Sequence, residues 1–563
     1  MINIFLFSFI STLYLICAGS LFCSRKNYGL SEIYRSIFFG SFLLAFTGVL
    51  LNFFTPLNVK INTLLFILIL VIGFILLVNR GFLIKILYCS FIISLIATLI
   101  LSFDTIYRPD ANLYHLPFTQ IINENKIIFG VSNIHFRFGH ISILQYLNAI
   151  FNNFLFQENG ILIPAAIIFS TFVMYFYNEI KENANEDKVY TFYIFLLLAY
   201  ILYGYNRYSE FGNDTIAHLY FFLVSSCFLK EIHKENIRYL DFIKLIILSL
   251  FCFILKTSLV FVFIFPLYIF IFRFNKKYIL NYWSIIIFFV SITWIVKNII
   301  ISGCIIYPVE ITCFDRLDWF SNNSKDLIAA SAQSLDNEAW TKGWPDYKGQ
   351  PVTQEKYVDN FYWLQTWIDN HGLLIFKKLS IFFTIILILI FVLKKLNTNL
   401  ISEKIKSNNA IYLIFFLSLI CVLIWFIRFP VFRYGSSYLV VFLVSISTII
   451  AIKYNIFQIE ITKFQKYLNI CIIIFFVLFS LKHTLRIYEN YFVLKNNVWP
   501  KFPKVEDTIN ISRPILLSEK FTYYLLKDSD GCGYTSSPCT PFKLNKNIYQ
   551  KKIKGYDFYL LKK

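Results

Sequence analysis

The stretch INTLLFILILVIGFILLV, at residues 61–78, contains no charged side chain. As an α-helix it would be about 27 Å long, close to the thickness of the hydrocarbon core of a bilayer. An apolar run of this length predicts a membrane-spanning helix, because a helix on a soluble domain is apolar along one face only. How often such runs recur along the chain decides its fold class.

Apolar runs of similar length recur through the 563 residues, which are 58% hydrophobic and 15% charged, with a mean hydropathy of +0.63. Soluble globular proteins are about one quarter charged, so this composition excludes that class. We predict an all-α polytopic membrane protein with about fourteen transmembrane helices. The predicted spans are 2–22, 34–54, 61–78, 82–103, 161–178, 189–204, 215–229, 241–254, 257–272, 279–301, 375–394, 410–428, 436–453 and 466–482.

The net charge is +19, and lysine and arginine residues cluster in the short loops between the predicted spans. Basic short loops stay in the cytoplasm, so the clustering indicates topology and gives no reason to expect a nucleic-acid partner. With the N-terminus outside, three long polar regions share the outer face, at 104–160, 302–374 and 483–563. We therefore divide the chain into a transmembrane domain, 1–482, and a small extracytoplasmic α/β domain, 483–563.

The cysteines fit this sidedness. Most of them lie within predicted spans, where a free cysteine is a small buried apolar residue. Cys532 and Cys539 instead flank a turn-like GYTSSP in the C-terminal region, on the predicted oxidising face, so we expect a disulfide between them. Cys304 and Cys313 are a second candidate pair.

Polar and charged residues gather close to the predicted membrane on the outer face, and they come from several separate hairpins. Charges at the edge of a bilayer are costly and are often functional. Lys256 is the clearest example, because the turn LKTSL is too short to lift its amine far into water. The candidate site residues are Asp110, Tyr114, His115, His135, Arg137, Asp214, Lys256, Ser258, Arg428 and Arg433.

This combination suits group transfer from a lipid-linked phosphate donor. An acceptor hydroxyl must lose its proton as it attacks, and Asp110 is the predicted general base. The leaving group is a lipid phosphate, whose growing negative charge needs cations. Lys256, Arg433 and Arg428 are the predicted phosphate ligands.

Structural roles remain open for the same residues. Asp110 and Asp214 could cap helices, Lys256 could extend its amine toward the interface, and the arginines could anchor the interface. Asp214 also lies four residues before His218, so a divalent cation there is an alternative, although we assign no metal ligand. The histidines His115, His135 and His140 match no standard zinc spacing, which favours positioning roles. Tyr114 and the loop tryptophans suit an interface belt, and the tryptophans could instead stack on sugars.

Several motifs carry a resemblance to a known superfamily. They are DANLYHLP (110–117), GND (212–214), KTS (256–258), KNIIISGCIIYP (297–308) with LDW (317–319), FPVFRYG (429–435) and GCGYTSSPCTP (531–541). In order and sidedness the chain resembles the GT-C superfamily of membrane glycosyltransferases, which includes the protein O-mannosyltransferases and the aminoarabinose transferases of lipid A. It looks more closely similar to an uncharacterised bacterial family of large polytopic proteins near that superfamily.

The resemblance implies a polyprenyl-phosphate-linked sugar as donor and a glycan, lipid or protein as acceptor. It also implies a site on the extracytoplasmic face of the bacterial inner membrane, among membrane lipids. Asp110 would be the base and Asp214 a second acidic residue of the site.

Three other functions compete with this interpretation. They are a polysaccharide polymerase or ligase, a transporter or flippase of lipid-linked glycans without catalysis, and a receptor or scaffold. A transporter would need charges near the middle of the bilayer, whereas the predicted charges lie at one face. Proximity of Asp110 to Lys256 and Arg433 would favour an enzyme, and dispersal of the three would favour a scaffold.

Overall fold

Helices account for most of the described structure, and each of the fourteen predicted spans contains helical structure among its described residues. The computed structural model describes residues 1–20, 29–78, 82–105, 110–205, 212–232, 234, 237–273, 281–320, 330–396, 408–494, 497–502, 512–518, 521–526, 531–541, 543–544 and 548–561. The helices in the first half of the chain are α1 Ile2–Gly19, α2 Leu30–Asn52, α3 Val59–Val78, α4 Leu83–Leu101, α5 Leu116–Glu124, α6 Ile143–Ile150, α7 Ile163–Asn183, α8 Lys188–Gly204, α9 Asp214–Ile232, α10 Tyr239–Leu255 and α11 Ile264–Phe272. Those in the second half are α12 Tyr282–Ser302, α13 Ala330–Thr341, α14 Gln354–Asp359, α15 Leu364–Trp367, α16 Leu373–Leu396, α17 Asn408–Arg428, α18 Phe432–Lys453 and α19 Ile461–Leu494.

Eleven of the described helical segments are long and apolar enough to cross a membrane. The other three predicted spans are shorter. α8 and α10 have 17 residues each, and the segment 257–272 is a 3₁₀ turn over Thr257–Phe263 followed by the nine residues of α11. The protein is therefore a multi-pass, mostly helical membrane protein with eleven candidate spans among the described residues.

Burial separates central helices from peripheral ones. In the apolar part of α7, 89% of the residues are buried, whereas in α3 the share is 17%. The apolar side chains that α3, α16 and α19 leave exposed suit contact with lipid.

α1 and α2 lie close together because Gly19 and Gly40 face each other across the contact. A Cβ atom at either glycine would collide with the backbone of the other helix, which is the small-residue packing common between membrane helices.

The C-terminal region forms a small sheet structure. Strands β1 Ser512–Ser518 and β2 Phe521–Leu526 pair antiparallel, and β3 Cys539–Thr540 joins β2 in parallel. A separate hairpin pairs β4 Ile548–Ile553 with β5 Tyr556–Leu561. Before these strands, α19 continues past the predicted end of the last span to Leu494.

The three long polar regions of the sequence meet at one end of the bundle. Phe129, from the first region, exchanges backbone hydrogen bonds of 2.9 Å with β5, through the carbonyl of Asp557 and the N–H of Tyr559. The Asn133 amide in the same region donates to the carbonyl of Trp319, in the second region, at 3.0 Å. These contacts join the three regions beside the end of α12, where the Ile300 carbonyl accepts a hydrogen bond from the Gly130 N–H at 2.9 Å.

Candidate functional site at one end of the helix bundle

Asp110 lies immediately before a five-residue π-helical turn, Ala111–His115, that leads into α5. Pro117, in the first turn of α5, has no N–H to donate, and a proline is tolerated at that place. Single π turns inside helices are frequent at functional sites. The Asp110 side chain makes no capping hydrogen bond to this helix, so its carboxylate is free to bind elsewhere.

The Asp110 carboxylate joins two arginines from distant parts of the chain. Its Oδ1 accepts a hydrogen bond from Arg137 Nη1 at 2.6 Å, and its Oδ2 accepts one from Arg433 Nη1 at 2.7 Å. Burial works to raise the pKa of Asp110, but the two guanidinium groups outweigh it and hold the pKa below its usual value. Asp110 is therefore ionised at neutral pH and engaged on both oxygens.

Arg433, in the first turn of α18, is surrounded by aromatic rings. Its guanidinium carbon lies 5.4 Å from the ring centre of Trp340 and 5.1 Å from that of Tyr434, and Nη2 donates to the Tyr434 hydroxyl at 3.2 Å. Trp340 belongs to α13 and is 46% exposed. Arg433 Nε is buried and has no hydrogen-bond partner among the described residues. The arginine thus keeps one donor unused beside an exposed indole.

Lys256 and Asp214 form a second ion pair next to the first. Lys256 Nζ lies 2.6 Å from Asp214 Oδ1 and donates to the backbone carbonyl of Arg433 at the same distance. His218 Nε2 lies 2.9 Å from the same carbonyl, so it donates there, and its Nδ1 accepts from the Ser437 hydroxyl. The Lys256 side chain is only 7% exposed, so it turns inward rather than toward the interface. Lys256 and His218 together fix the backbone that carries Arg433.

Tyr114, His115 and His135 are uncharged members of the site, and two of them contact Arg137. The Tyr114 ring lies 5.2 Å from the Arg137 guanidinium carbon, and His135 Nδ1 accepts from the Arg137 backbone N–H at 3.1 Å. His115 Nδ1 accepts from the Gln145 amide at 2.6 Å. Burial lowers the pKa of His115 to about 4 and that of His135 to about 3. Both imidazoles are therefore neutral at pH 7.

Two predicted site residues have other partners. Arg428 Nη1 lies 3.6 Å from Glu338 Oε2 in α13, and the arginine side chain is 65% exposed. The Ser258 carbonyl accepts from the Tyr438 hydroxyl at 2.8 Å, while the Ser258 hydroxyl has no hydrogen bond among the described residues. Arg207 and Glu210, two further charges of the same face in the sequence, lie outside the described residues.

No group of three or more His, Cys, Asp or Glu suited to a metal ion occurs in the part of the chain that the structure describes. Asp214 and His218 share a helical face, but each contacts a different partner, Lys256 and the Arg433 carbonyl. Within the described ranges, Asp214 and His218 therefore have no third residue of these types to complete a ligand set.

The C-terminal region holds the segment that carries Asp110. A disulfide joins Cys532 to Cys539, and the Gly533 N–H within the loop donates to the Asn112 carbonyl at 2.9 Å. Gly531 adopts a φ of +90°, and a Cβ atom there would collide with Asn112. A second disulfide joins Cys304 to Cys313.

Tyr534 also attaches this loop to the helices of the first polar region. Its hydroxyl donates to Asn123 Oδ1 at 2.8 Å and accepts from the Asn152 amide at 2.7 Å. This bond ties the loop to α5 and to the end of α6. The loop therefore contacts both ends of the segment that follows Asp110.

Sequence reasoning did not single out Trp340, Tyr434 or Gly533. Trp340 is one of five tryptophans in its polar region, and only the fold decides which of them lies over Arg433. His218 had a usable signal, because it lies one helical turn after Asp214, but its partner is a backbone carbonyl that no sequence pattern reveals.

The charged residues of the cluster are Asp110, Arg137, Asp214, Lys256 and Arg433, and all five lie within the part of the chain that a family model matches. The loop closed by the Cys532–Cys539 disulfide and the strands lie beyond that part. No curated protein and no solved structure matches the chain. Since the family model matches residues 1–440 of 563, the chain belongs to the family described as Domain of unknown function (DUF8201).

Proposed function

We propose that the protein is an integral membrane glycosyltransferase of the GT-C type. It would move a sugar from a polyprenyl-phosphate donor to a hydroxyl group of a glycan, lipid or protein acceptor, on the extracytoplasmic face of the bacterial inner membrane. The observation that carries the proposal is the Asp110 carboxylate bound between Arg137 and Arg433 at the ends of membrane helices. This arrangement supplies a base and a phosphate ligand within one side-chain length of each other.

The transfer step uses these groups in defined roles. The acceptor O–H gives its proton to the Asp110 carboxylate while the acceptor oxygen bonds to the anomeric carbon of the sugar. The bond between that carbon and the phosphate oxygen breaks, and its electron pair leaves with the polyprenyl phosphate. Arg433 stabilises the negative charge that grows on the leaving phosphate. Lys256, which is held by Asp214, acts mainly by fixing the backbone of Arg433.

The position of the cluster favours transfer over transport. Asp214 is the first residue of α9 and Arg433 the second residue of α18, so both lie at helix ends. A lipid phosphate also lies at the edge of the bilayer, whereas a transporter typically binds its substrate near the midplane. A polysaccharide polymerase or ligase, which uses the same donor class, is the alternative function.

The contrast between the two ends of the bundle supports a ligand site at this end. At the other end, Glu179 is fully buried, and its carboxylate binds Arg35 at 3.3 Å, Lys230 at 2.8 Å and the Tyr190 hydroxyl at 3.0 Å. Both carboxylates have partners on both oxygens, but the Glu179 side chain is 0% exposed whereas that of Asp110 is 18% exposed, so Glu179 suits a structural role. The Asp110 cluster also contains an arginine donor, Arg433 Nε, that has no partner within the described part of the chain, and an exposed tryptophan, Trp340.

The proposal is tested by extracting polyprenyl-phosphate-linked sugars from cells that lack the protein. We expect one such lipid to accumulate, and we expect the wild-type chain and Lys356→Ala to clear it, because Lys356 is an exposed lysine of α14 whose side chain has no ion pair or hydrogen bond to the cluster among the described residues. Asp110→Asn at equal abundance should leave the lipid accumulated. An unchanged set of polyprenyl-linked sugars in cells without the protein would contradict the proposal.

A further inference from the structure

Arg433 already binds an anion in this structure, and that anion is the predicted base. The Arg433 guanidinium holds Asp110 Oδ2 at 2.7 Å, in the place where a phosphate ligand of the same arginine would have to bind. Both side chains remain partly open, with 26% of Arg433 and 18% of Asp110 exposed. The base and the phosphate therefore compete for one cation.

The arginine is the fixed partner of this pair. Its backbone carbonyl accepts hydrogen bonds from Lys256 and His218, and its guanidinium lies against the rings of Trp340 and Tyr434. Because these four contacts hold Arg433 in place, an exchange of anions would require Asp110 to move rather than Arg433.

Asp110 would keep a partner after leaving Arg433. Its other oxygen is bound to Arg137 at 2.6 Å, so the exchange breaks one ion pair and leaves no isolated carboxylate. A phosphate could also use more of the arginine than Asp110 does. It offers additional oxygens to a guanidinium that has five donors, including the buried Nε that has no partner among the described residues.

The exchange would improve Asp110 as a base. A general base works best when its pKa lies near the operating pH, and a carboxylate paired with two arginines has its pKa held below the usual value. Loss of one of the two guanidinium partners would bring the pKa of Asp110 back toward the range in which it accepts a proton.

We propose that the phosphate of the lipid-linked donor binds Arg433 in the place that the Asp110 carboxylate occupies, and that its arrival releases Asp110 to act as the base. The inference rests on the proposed function, because it assumes a phosphate-bearing donor. The inference adds that Asp110 occupies the phosphate position on Arg433 until the donor binds. Donor binding and activation of the base are then a single event.

The test is binding of polyprenyl phosphate to the full chain in phosphatidylcholine nanodiscs. Removal of a competing anion should tighten binding, so Asp110→Asn is expected to lower the dissociation constant by about tenfold. Asp104→Asn is the matched control, because Asp104 lies six residues earlier and pairs with a different arginine, Arg486, at 2.9 Å. Its dissociation constant should equal that of the wild type.

Two competition experiments show whether the site prefers polyprenyl phosphate to other phosphate-containing ligands. Inorganic phosphate and phosphatidylglycerol should each compete poorly with polyprenyl phosphate in the wild type and in Asp110→Asn. Competition by inorganic phosphate at equal concentration would overturn the assignment to a lipid-linked ligand. Weaker or unchanged binding of polyprenyl phosphate by Asp110→Asn would overturn the exchange while leaving the proposed function intact. Absence of binding in the wild type and in both variants would contradict the proposed function itself.

A second measurement uses the wild-type protein alone and needs no variant to fold. A carbodiimide modifies carboxyl groups in their protonated form, and mass spectrometry locates the modified residues. Polyprenyl phosphate should increase the modification of Asp110 and leave that of Asp104 unchanged. Protection of Asp110 by the lipid would contradict its release from Arg433.

Discussion

At the scale of single residues, Arg433 links the two ion pairs of the cluster. Its side chain binds Asp110, and its backbone carbonyl accepts from Lys256, which in turn holds Asp214. Asp110 is paired with Arg137 and Arg433, Asp214 is paired with Lys256, and the two groups meet at Arg433. This shared position makes the cluster sensitive to changes that leave Arg433 itself in place.

Lys256→Met tests that sensitivity. The change leaves the Asp214 carboxylate, which is 23% exposed, without its lysine, so we expect stability to fall by about 3 kcal/mol, the lower end of the range for buried pairs. The double variant Lys256→Met with Asp214→Asn removes both charges and should recover most of the loss. Thermal unfolding in detergent measures both effects. A double variant that is less stable than Lys256→Met alone would refute the pairing.

Trp340 gives a second prediction at this scale. Its exposed ring lies beside Arg433, where the sugar of a phosphate-linked donor would lie, and ring contacts contribute roughly 0.5–1.5 kcal/mol. Trp340→Ala should therefore weaken donor binding by up to about tenfold, and Trp340→Phe should restore part of it. The test is to titrate the lipid-linked sugar against both variants and compare the dissociation constants. Equal affinity in wild type and Trp340→Ala would remove the ring from the site.

The residue types of the site could be predicted from the sequence, and the contacts could not. Charges next to apolar runs are costly, and this cost marks Asp110, Lys256 and Arg433 as candidate site residues. The bond between Asp110 and Arg433, however, joins residues 323 positions apart, and no local pattern encodes it. For the same reason the sequence makes Arg428 a candidate phosphate ligand beside Arg433, although it pairs with Glu338.

At the scale of elements, the disulfide loop 532–539 acts as a clamp on the turn Ala111–His115 and on α5. Gly533 holds the Asn112 carbonyl, and Tyr534 binds Asn123 and Asn152. The Asp110 segment is thus supported by a part of the chain more than 400 residues later. Its position depends on the C-terminal region as well as on the membrane helices.

Cys532→Ser with Cys539→Ser tests the clamp. Closure of so short a loop contributes about 2–3 kcal/mol, so the variant should lose stability locally while the membrane helices survive. Hydrogen exchange should then increase at residues 111–124, to which the loop is bonded, and stay unchanged in α7. A free-thiol assay on the wild type should find both cysteines oxidised. Unchanged exchange at 111–124 would show that the loop does not support this segment.

The positions of helices were the most predictable feature at this scale, because an apolar run free of charge has few alternatives in a membrane. The ends were less predictable. α19 runs twelve residues past the predicted end at 482, since polar residues can continue a helix beyond the bilayer. The sequence predicts the 3₁₀ turn Thr257–Phe263 as part of a span because its residues are apolar, but its backbone is not α-helical.

At the scale of the whole molecule, we predict the sidedness from the clustering of basic residues in short loops and from the meeting of the three polar regions at one end. The two ends can be distinguished by single cysteines. Glu355→Cys in α14 lies with the Asp110 cluster, and Lys463→Cys in α19 lies at the opposite end, and both positions are exposed. A membrane-impermeant maleimide should label residue 355 in intact cells and residue 463 only after permeabilisation. Labelling of residue 463 from outside would reverse the topology.

Turnover of the donor by Asp110→Asn tests the central claim most directly. Membranes from cells that lack the protein supply both the accumulated lipid-linked sugar and its acceptor, and purified protein is reconstituted into them. The wild-type chain should release polyprenyl phosphate from the donor. Asp110→Asn should do so about 10²–10⁴-fold more slowly, because it keeps the size of the side chain and removes the proton acceptor. Release by Asp110→Asn at the wild-type rate would contradict the assignment of Asp110 as the base.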